Sequence, residues 1–154
     1  MSQQMNSDAQ RAQFLNDTVL SASPARLLTM LYDRLVLDID RGAKAQLAGD
    51  FVEASTQLTH AQDIVAELMV TLDVDAWAGG PGLKALYSHL LTQLVEANVS
   101  HDAEQTAACR AIVDPLRMAW HEAAAELARS AAPKVPVGAG AGSSSSGVGF
   151  LGVG

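Results

Sequence analysis

The sequence predicts an all-α protein: an antiparallel four-helix bundle with a flexible N-terminal arm and a disordered C-terminal tail. Three observations carry that reading. Only 5% of the residues are aromatic, and Ala, Leu and Val dominate the 49% that are hydrophobic, a set that favours helix over sheet. Four stretches return apolar residues at steps of three and four. Short breaks rich in helix-ending and helix-starting residues separate most of them, which makes neighbouring helices antiparallel. A chain of 154 residues supports one core and not two, so the expected organisation is an arm or short capping helix over 1–23, the bundle over 24–130 and a tail over 131–154.

The first 20 residues are polar, with Phe14, Leu15, Val19 and Leu20 as sparse apolar points. An arm of this kind docks only through those anchors, of which Phe14 and Val19 are the principal candidates. At Ser23-Pro24 a side-chain cap is followed by a proline whose missing N–H costs nothing in a first turn, so helix A runs from Pro24 to about Leu47. "AGD" at 48–50 ends it: Gly49 suits a left-handed residue and Asp50 caps the next helix. Helix B spans about Phe51 to Leu72, with Phe51, Ala54, Leu58, Ala61, Val65, Leu68 and Leu72 in helical register.

"DVDAWAGGPG", 73–82, reads as a loop whose Trp77 packs back onto the bundle. Helix C spans about Leu83 to Val99. "SHDAEQ" offers Ser100 or Asp102 as the next cap, with Gln105 placed as in a capping box. Helix D runs to about Arg129 and turns Ile112, Leu116, Trp120, Ala123 and Leu127 inward. Pro115 predicts a kink, or two segments with Asp114 capping the second. From Ala131 the chain is rich in Gly and Ser and almost without charge, which predicts disorder.

Composition excludes several function classes. A formal charge of −7 leaves no basic stripe for a phosphate backbone, so no nucleic-acid partner is expected. The N-terminus lacks the apolar core of a secretory signal and no apolar run is long enough to span a bilayer, which predicts a cytoplasmic protein without membrane insertion. Cys109 is alone, and its expected role is that of a small buried apolar residue. None of His60, His89, His101 or His121 has Glu three positions before it, and Ala125 stands where a zinc-protease helix needs its second histidine. Asp73 and Asp75 are followed by Trp77, Gly79 and Gly80 and not by further oxygen ligands. No catalytic residue, cofactor or metal is expected.

Helix A carries more apolar surface than its core face requires. Leu28, Leu31, Tyr32, Leu35, Ile39 and Ala43 form one face, and a second stripe, Leu27, Met30, Arg34, Leu37 and Arg41, lies beside it. Ile64 and Val70 in helix B, and Leu91 and Val95 in helix C, lie similarly off the main faces. Two explanations compete: a tightly packed bundle that buries a broad arc, or a groove for a partner helix, covered by the protein's own arm, a second copy or a client. The candidate groove residues are Leu27, Met30, Leu37, Ile64, Leu91 and Val95, against Leu31, Leu35, Leu58, Leu68, Leu94 and Trp120 as core. Tyr32 and Asn98 carry polar tips that need partners if buried.

Four ordered blocks, "SASPARLLTMLYDRL" at 21–35, "HAQDIVAELMVTLD" at 60–73, "LVEANVSHD" at 94–102 and "MAWHEA" at 118–123, together resemble the flagellin-specific flagellar export chaperone family. The first is similar to that family's first-helix opening, which starts Thr-Ala-Ser-Pro and continues toward Met-Leu-Tyr-Asp-Gly. The other three resemble segments of its second, third and fourth helices, in order and at compatible spacing. The resemblance implies a cytoplasmic bundle that binds the C-terminal segment of flagellin, prevents premature polymerisation and presents the subunit to a component of the export gate. The alternative is a homodimerising helical adaptor without a flagellin client. The chain departs from the family at Arg34, where glycine is usual, at Phe14, where tyrosine is common, and in Pro115 and the long tail.

Overall fold

The computed structural model describes residues 7–11 and 23–131, which contain helix and no strand. A short exposed helical stretch over 7–11 is followed by α1 (Pro24–Leu47), α2 (Phe51–Thr71), α3 (Gly80–Val99) and α4 (Ala103–Ala131). Phe14, Val19 and the expected tail beyond Ala131 lie outside the described residues. No described helix is long and apolar enough to cross a membrane. The described residues up to Ala124 belong to one compact unit, which holds the bundle; past that point the described backbone continues α4, with Arg129 and Glu126 paired at 2.5 Å.

The helix boundaries follow from their caps. Ser23 Oγ accepts the Arg26 N–H at 3.2 Å and starts α1. The turns after α1 and α3 are built alike. Gly49, at φ 74°, donates to the Gln46 carbonyl and Asp50 to that of Ala45; His101, at φ 55°, donates to Asn98 and Asp102 to Ala97. This crossed pair of bonds satisfies carbonyls that the helix end leaves free, and it requires a left-handed residue at its centre. Each turn hands over to an aspartate that caps the next helix: Asp50 accepts from Glu53 N, and Asp102 from Glu104 N and Gln105 N. The capping box is only half made, because the Gln105 side chain reaches to Gln93 and Glu96 on α3.

Three expectations are corrected. The helix expected from Leu83 begins at Gly80, since Pro81 fits a first turn where no N–H is needed. Gly80 packs on the backbone of Val74 so closely that a Cβ would lie 2.1 Å from its carbonyl oxygen. Trp77 does not return to the bundle core; it is half exposed, and its ring lies over Gly79. Nor does Pro115 split α4 into two segments, for the helix is continuous and Asp114 pairs with Arg110 and Arg117 instead of capping. Pro115 and Ala111 are exposed, so water can serve the Ala111 carbonyl that loses its helical donor.

The core joins Tyr32, Leu35 and Ile39 of α1, Leu58, Ala61, Val65 and Leu68 of α2, Leu83, Tyr87, Leu90 and Leu94 of α3, and Cys109 and Val113 of α4. Burying each large side chain is worth about 1.5–3 kcal/mol. Leu28, Leu31, Leu116 and Trp120 pack against this cluster while half-buried. In α4 the inward set is Thr106, Cys109 and Val113; Ile112 is half-buried, and Ala123 and Leu127 are exposed. Gly42 lets α2 approach α1, since a Cβ there would lie 2.6 Å from Leu58 Cδ2.

Candidate docking surface

The second stripe of α1 faces outward. Leu27 and Met30 are half-buried and Leu37 is 39% exposed, on the side opposite Leu35 and Ile39. Arg34, which stands among them, is drawn aside: its Nε–H donates to Asp38 Oδ1 at 2.9 Å. Asp38 has no exposed side-chain surface, and its other oxygen is bonded to His60 Nδ1 of α2. A buried carboxylate is tolerated when its charge and lone pairs are met, and here one partner from each helix meets them.

On α3, Leu91 is half-buried and Val95 is 41% exposed. They share a stripe with Asn98, whose amide donates to Ser55 Oγ of α2 at 3.3 Å, so this stripe borders α2. Ile64 is corrected from groove to core. It is only 6% exposed and belongs to the central cluster, because α2 packs against both α1 and α3 and so buries a wider arc than its own spacing implies. The remaining candidate residues therefore lie in two stripes, on α1 and α3, which both pack against α2.

Sequence reading missed further apolar surface where the two similar turns meet. Phe51, expected on the inner face of α2, is 41% exposed and stacks on His101 with ring centroids 4.0 Å apart. Leu47, Val52 and Val99 are largely exposed. Val52 and Val99 stand out of step with the three-and-four pattern of their helices, and that mismatch was the available signal.

Ion pairs line the opposite edge of α1. Asp33 accepts from Arg117 Nε at 2.8 Å and contacts His121 Nε2 at 2.7 Å, while Asp40 accepts from Arg110 Nε at 2.9 Å. Burial alone would raise the Asp33 pKa, but hydrogen bonds and charge from His121 and Arg117 outweigh it and hold the carboxyl below its ordinary value. Arg110 is shifted upward: burial opposes the shift, and the bonds and charges of Asp40 and Asp114 overcome it.

Two polar contacts cross the core. Gln46 donates to the Ala97 carbonyl at 2.9 Å and lies 2.7 Å from the Thr106 hydroxyl, linking α1, α3 and α4. The Tyr32 and Tyr87 hydroxyls meet at 2.5 Å. Burial pushes the Cys109 thiol up to about 11, which keeps it protonated near neutrality and unreactive as a nucleophile. Among the described residues no three His, Cys, Asp or Glu side chains converge as metal ligands. What this arrangement offers is exposed apolar surface on a helical bundle.

The chain is 29% identical over 110 residues to the flagellar secretion chaperone FliS of Bacillus subtilis, an alignment covering 71% of this chain and 82% of that relative. It is 26% identical over 111 residues to the flagellar secretion chaperone FliS of Salmonella typhimurium, covering 70% and 82% respectively. The profile of the family described as flagellar protein FliS matches residues 5–127. That match takes in α1, α2, α3 and all but the last turn of α4, and this chain belongs to the flagellar protein FliS family.

Proposed function

We propose that this protein is a cytoplasmic export chaperone that binds the C-terminal segment of flagellin, blocks its premature polymerisation and assists its delivery to the flagellar type III export apparatus through an export-gate component. The observation that carries the reading is the outward stripe of Leu27, Met30 and Leu37, on a helix whose opposite face already fills the core. The relatives named as flagellar secretion chaperones support the same role. The mechanism is binding and not turnover. The client segment becomes helical as it docks, and apolar burial must exceed an ordering cost of about 2–5 kcal/mol.

Calorimetric titration with a peptide spanning the C-terminal helices of the source organism's flagellin tests this, with an unrelated amphipathic helix as control. Saturable binding near one to one, with a negative heat-capacity change, is the expected result. No binding, together with a mass that rises with protein concentration, would favour the homodimeric adaptor instead.

A further inference from the structure

Along α1, Arg26, Met30, Arg34, Leu37, Arg41 and Lys44 follow one another at steps of four, four, three, four and three, and so share a face. The acids of α1 are all committed elsewhere: Asp33 to Arg117 and His121, Asp40 to Arg110, and buried Asp38 to Arg34 and His60. Arg26, Arg41 and Lys44 are exposed, and no described residue forms an ion pair with them. At the lower end of the stripe Arg41 and Lys44 share a recess with Asp50, which caps α2, and Glu53, which accepts from Gln57, and neither carboxylate forms an ion pair with them.

Fold stability does not account for this pattern. Lys44, in the last turn, suits the helix dipole, but Arg26 stands in the first turn, where a cation is disfavoured and no acid accompanies it. The result is a cationic stripe around two apolar side chains on a protein whose formal charge is −7.

We propose that this face selects its partner by charge: it takes an amphipathic helix whose apolar anchors meet Met30 and Leu37 and whose flanking positions carry carboxylates. From Arg26 to Lys44 the face is about 27 Å long, so the docked segment is a helix of about 18 residues. The inference rests on the client-docking reading and adds the chemistry that distinguishes one client segment from another.

The test titrates the full chain with three probes: the flagellin C-terminal peptide, and two synthetic 18-residue amphipathic helices with identical leucine anchors, one flanked by Glu and the other by Lys. The wild type should prefer the Glu-flanked helix by about tenfold at low salt, and the preference should shrink as salt is added. Arg26→Glu/Arg41→Glu/Lys44→Glu should reverse it. The triple Gln variant, which adds no like charge to α1, should abolish it, with circular dichroism confirming the fold of both.

Equal binding of the two helices by the wild type overturns the inference. If the flagellin peptide fails to bind while the Glu preference persists, the charge rule stands and the flagellin reading falls. If the flagellin peptide binds wild type and both variants equally and the two helices are not distinguished, the charge rule falls and the chaperone reading stands. Concentration-dependent dimerisation that the Glu variant abolishes, without discrimination between the helices, would assign the face to a second copy and overturn the proposal.

Discussion

The hydroxyls of Tyr32 and Tyr87 lie 2.5 Å apart inside the bundle and tie α1 to α3 through its core. Removing one hydroxyl leaves the other without this partner, so Tyr87→Phe should cost about 1–3 kcal/mol in chemical denaturation. The double variant Tyr32→Phe/Tyr87→Phe should cost less than the sum of the single changes, because it removes both polar groups together.

The same pair sets an alkaline limit. Burial raises both phenols above their ordinary value of 10.0; in Tyr32 the bonds with Tyr87 and Trp120 only partly offset it, and in Tyr87 the Tyr32 interaction adds to it. A group whose folded pKa is raised contributes its stability below the unfolded pKa and loses it as pH rises toward the folded value. Stability should therefore fall as pH climbs above about 10, with a shallower slope in the double Phe variant, read as denaturation midpoints against pH.

Gly42 of α1 lies directly against Leu58 of α2. Gly42→Ala would place a Cβ 2.6 Å from Leu58 Cδ2, and Leu58 is fully buried with little room to yield. The helix-propensity gain of about 1 kcal/mol should be outweighed by overpacking of about 1–3 kcal/mol, giving a lower thermal midpoint.

The paired turns give a matched comparison. Gly49→Ala should cost about 1 kcal/mol, since alanine resists the left-handed conformation. His101→Gly should be nearly neutral, because relief at φ 55° is offset by loss of the stack on Phe51. His101→Ala loses the stack without gaining that relief and should be the more destabilising of the two.

The anchoring of Asp38 can be probed from its partners. His60→Ala leaves a fully buried carboxylate with Arg34 alone and should cost about 1–3 kcal/mol. Arg34→Gly/His60→Ala removes both partners of the buried carboxylate and should cost more than the two single changes combined, as measured by urea denaturation.

Surface and core leucines of α1 should separate binding from folding. Met30→Asp and Leu37→Asp should weaken flagellin-peptide binding with helicity and melting nearly unchanged. Leu35→Asp should unfold the bundle, since it buries a charge without a partner. Ile64→Asp should behave like Leu35→Asp, in keeping with its place in the core.

Local chemistry made much of this protein legible before any packing was known. Ser23-Pro24, Gly49-Asp50 and Asp102 act through bonds within a few residues of themselves, so α1 begins and ends where its sequence says, and α2 and α4 start at their caps. Helical spacing likewise identified Leu27, Met30 and Leu37 as a stripe apart from Leu35 and Ile39, because one helix alone sets that relationship. Other features depend on neighbours remote in sequence. Ile64 is core because α2 packs against both α1 and α3; Phe51 is held at the surface beside His101; Arg34 is pulled off its own stripe by a buried aspartate that also binds α2. The cations of α1 that no described residue pairs emerged for the same reason. Which charges remain unpaired depends on which acids the adjoining helices claim, and only the tertiary structure brings Arg110, Arg117 and His121 of α4 to Asp33 and Asp40 of α1.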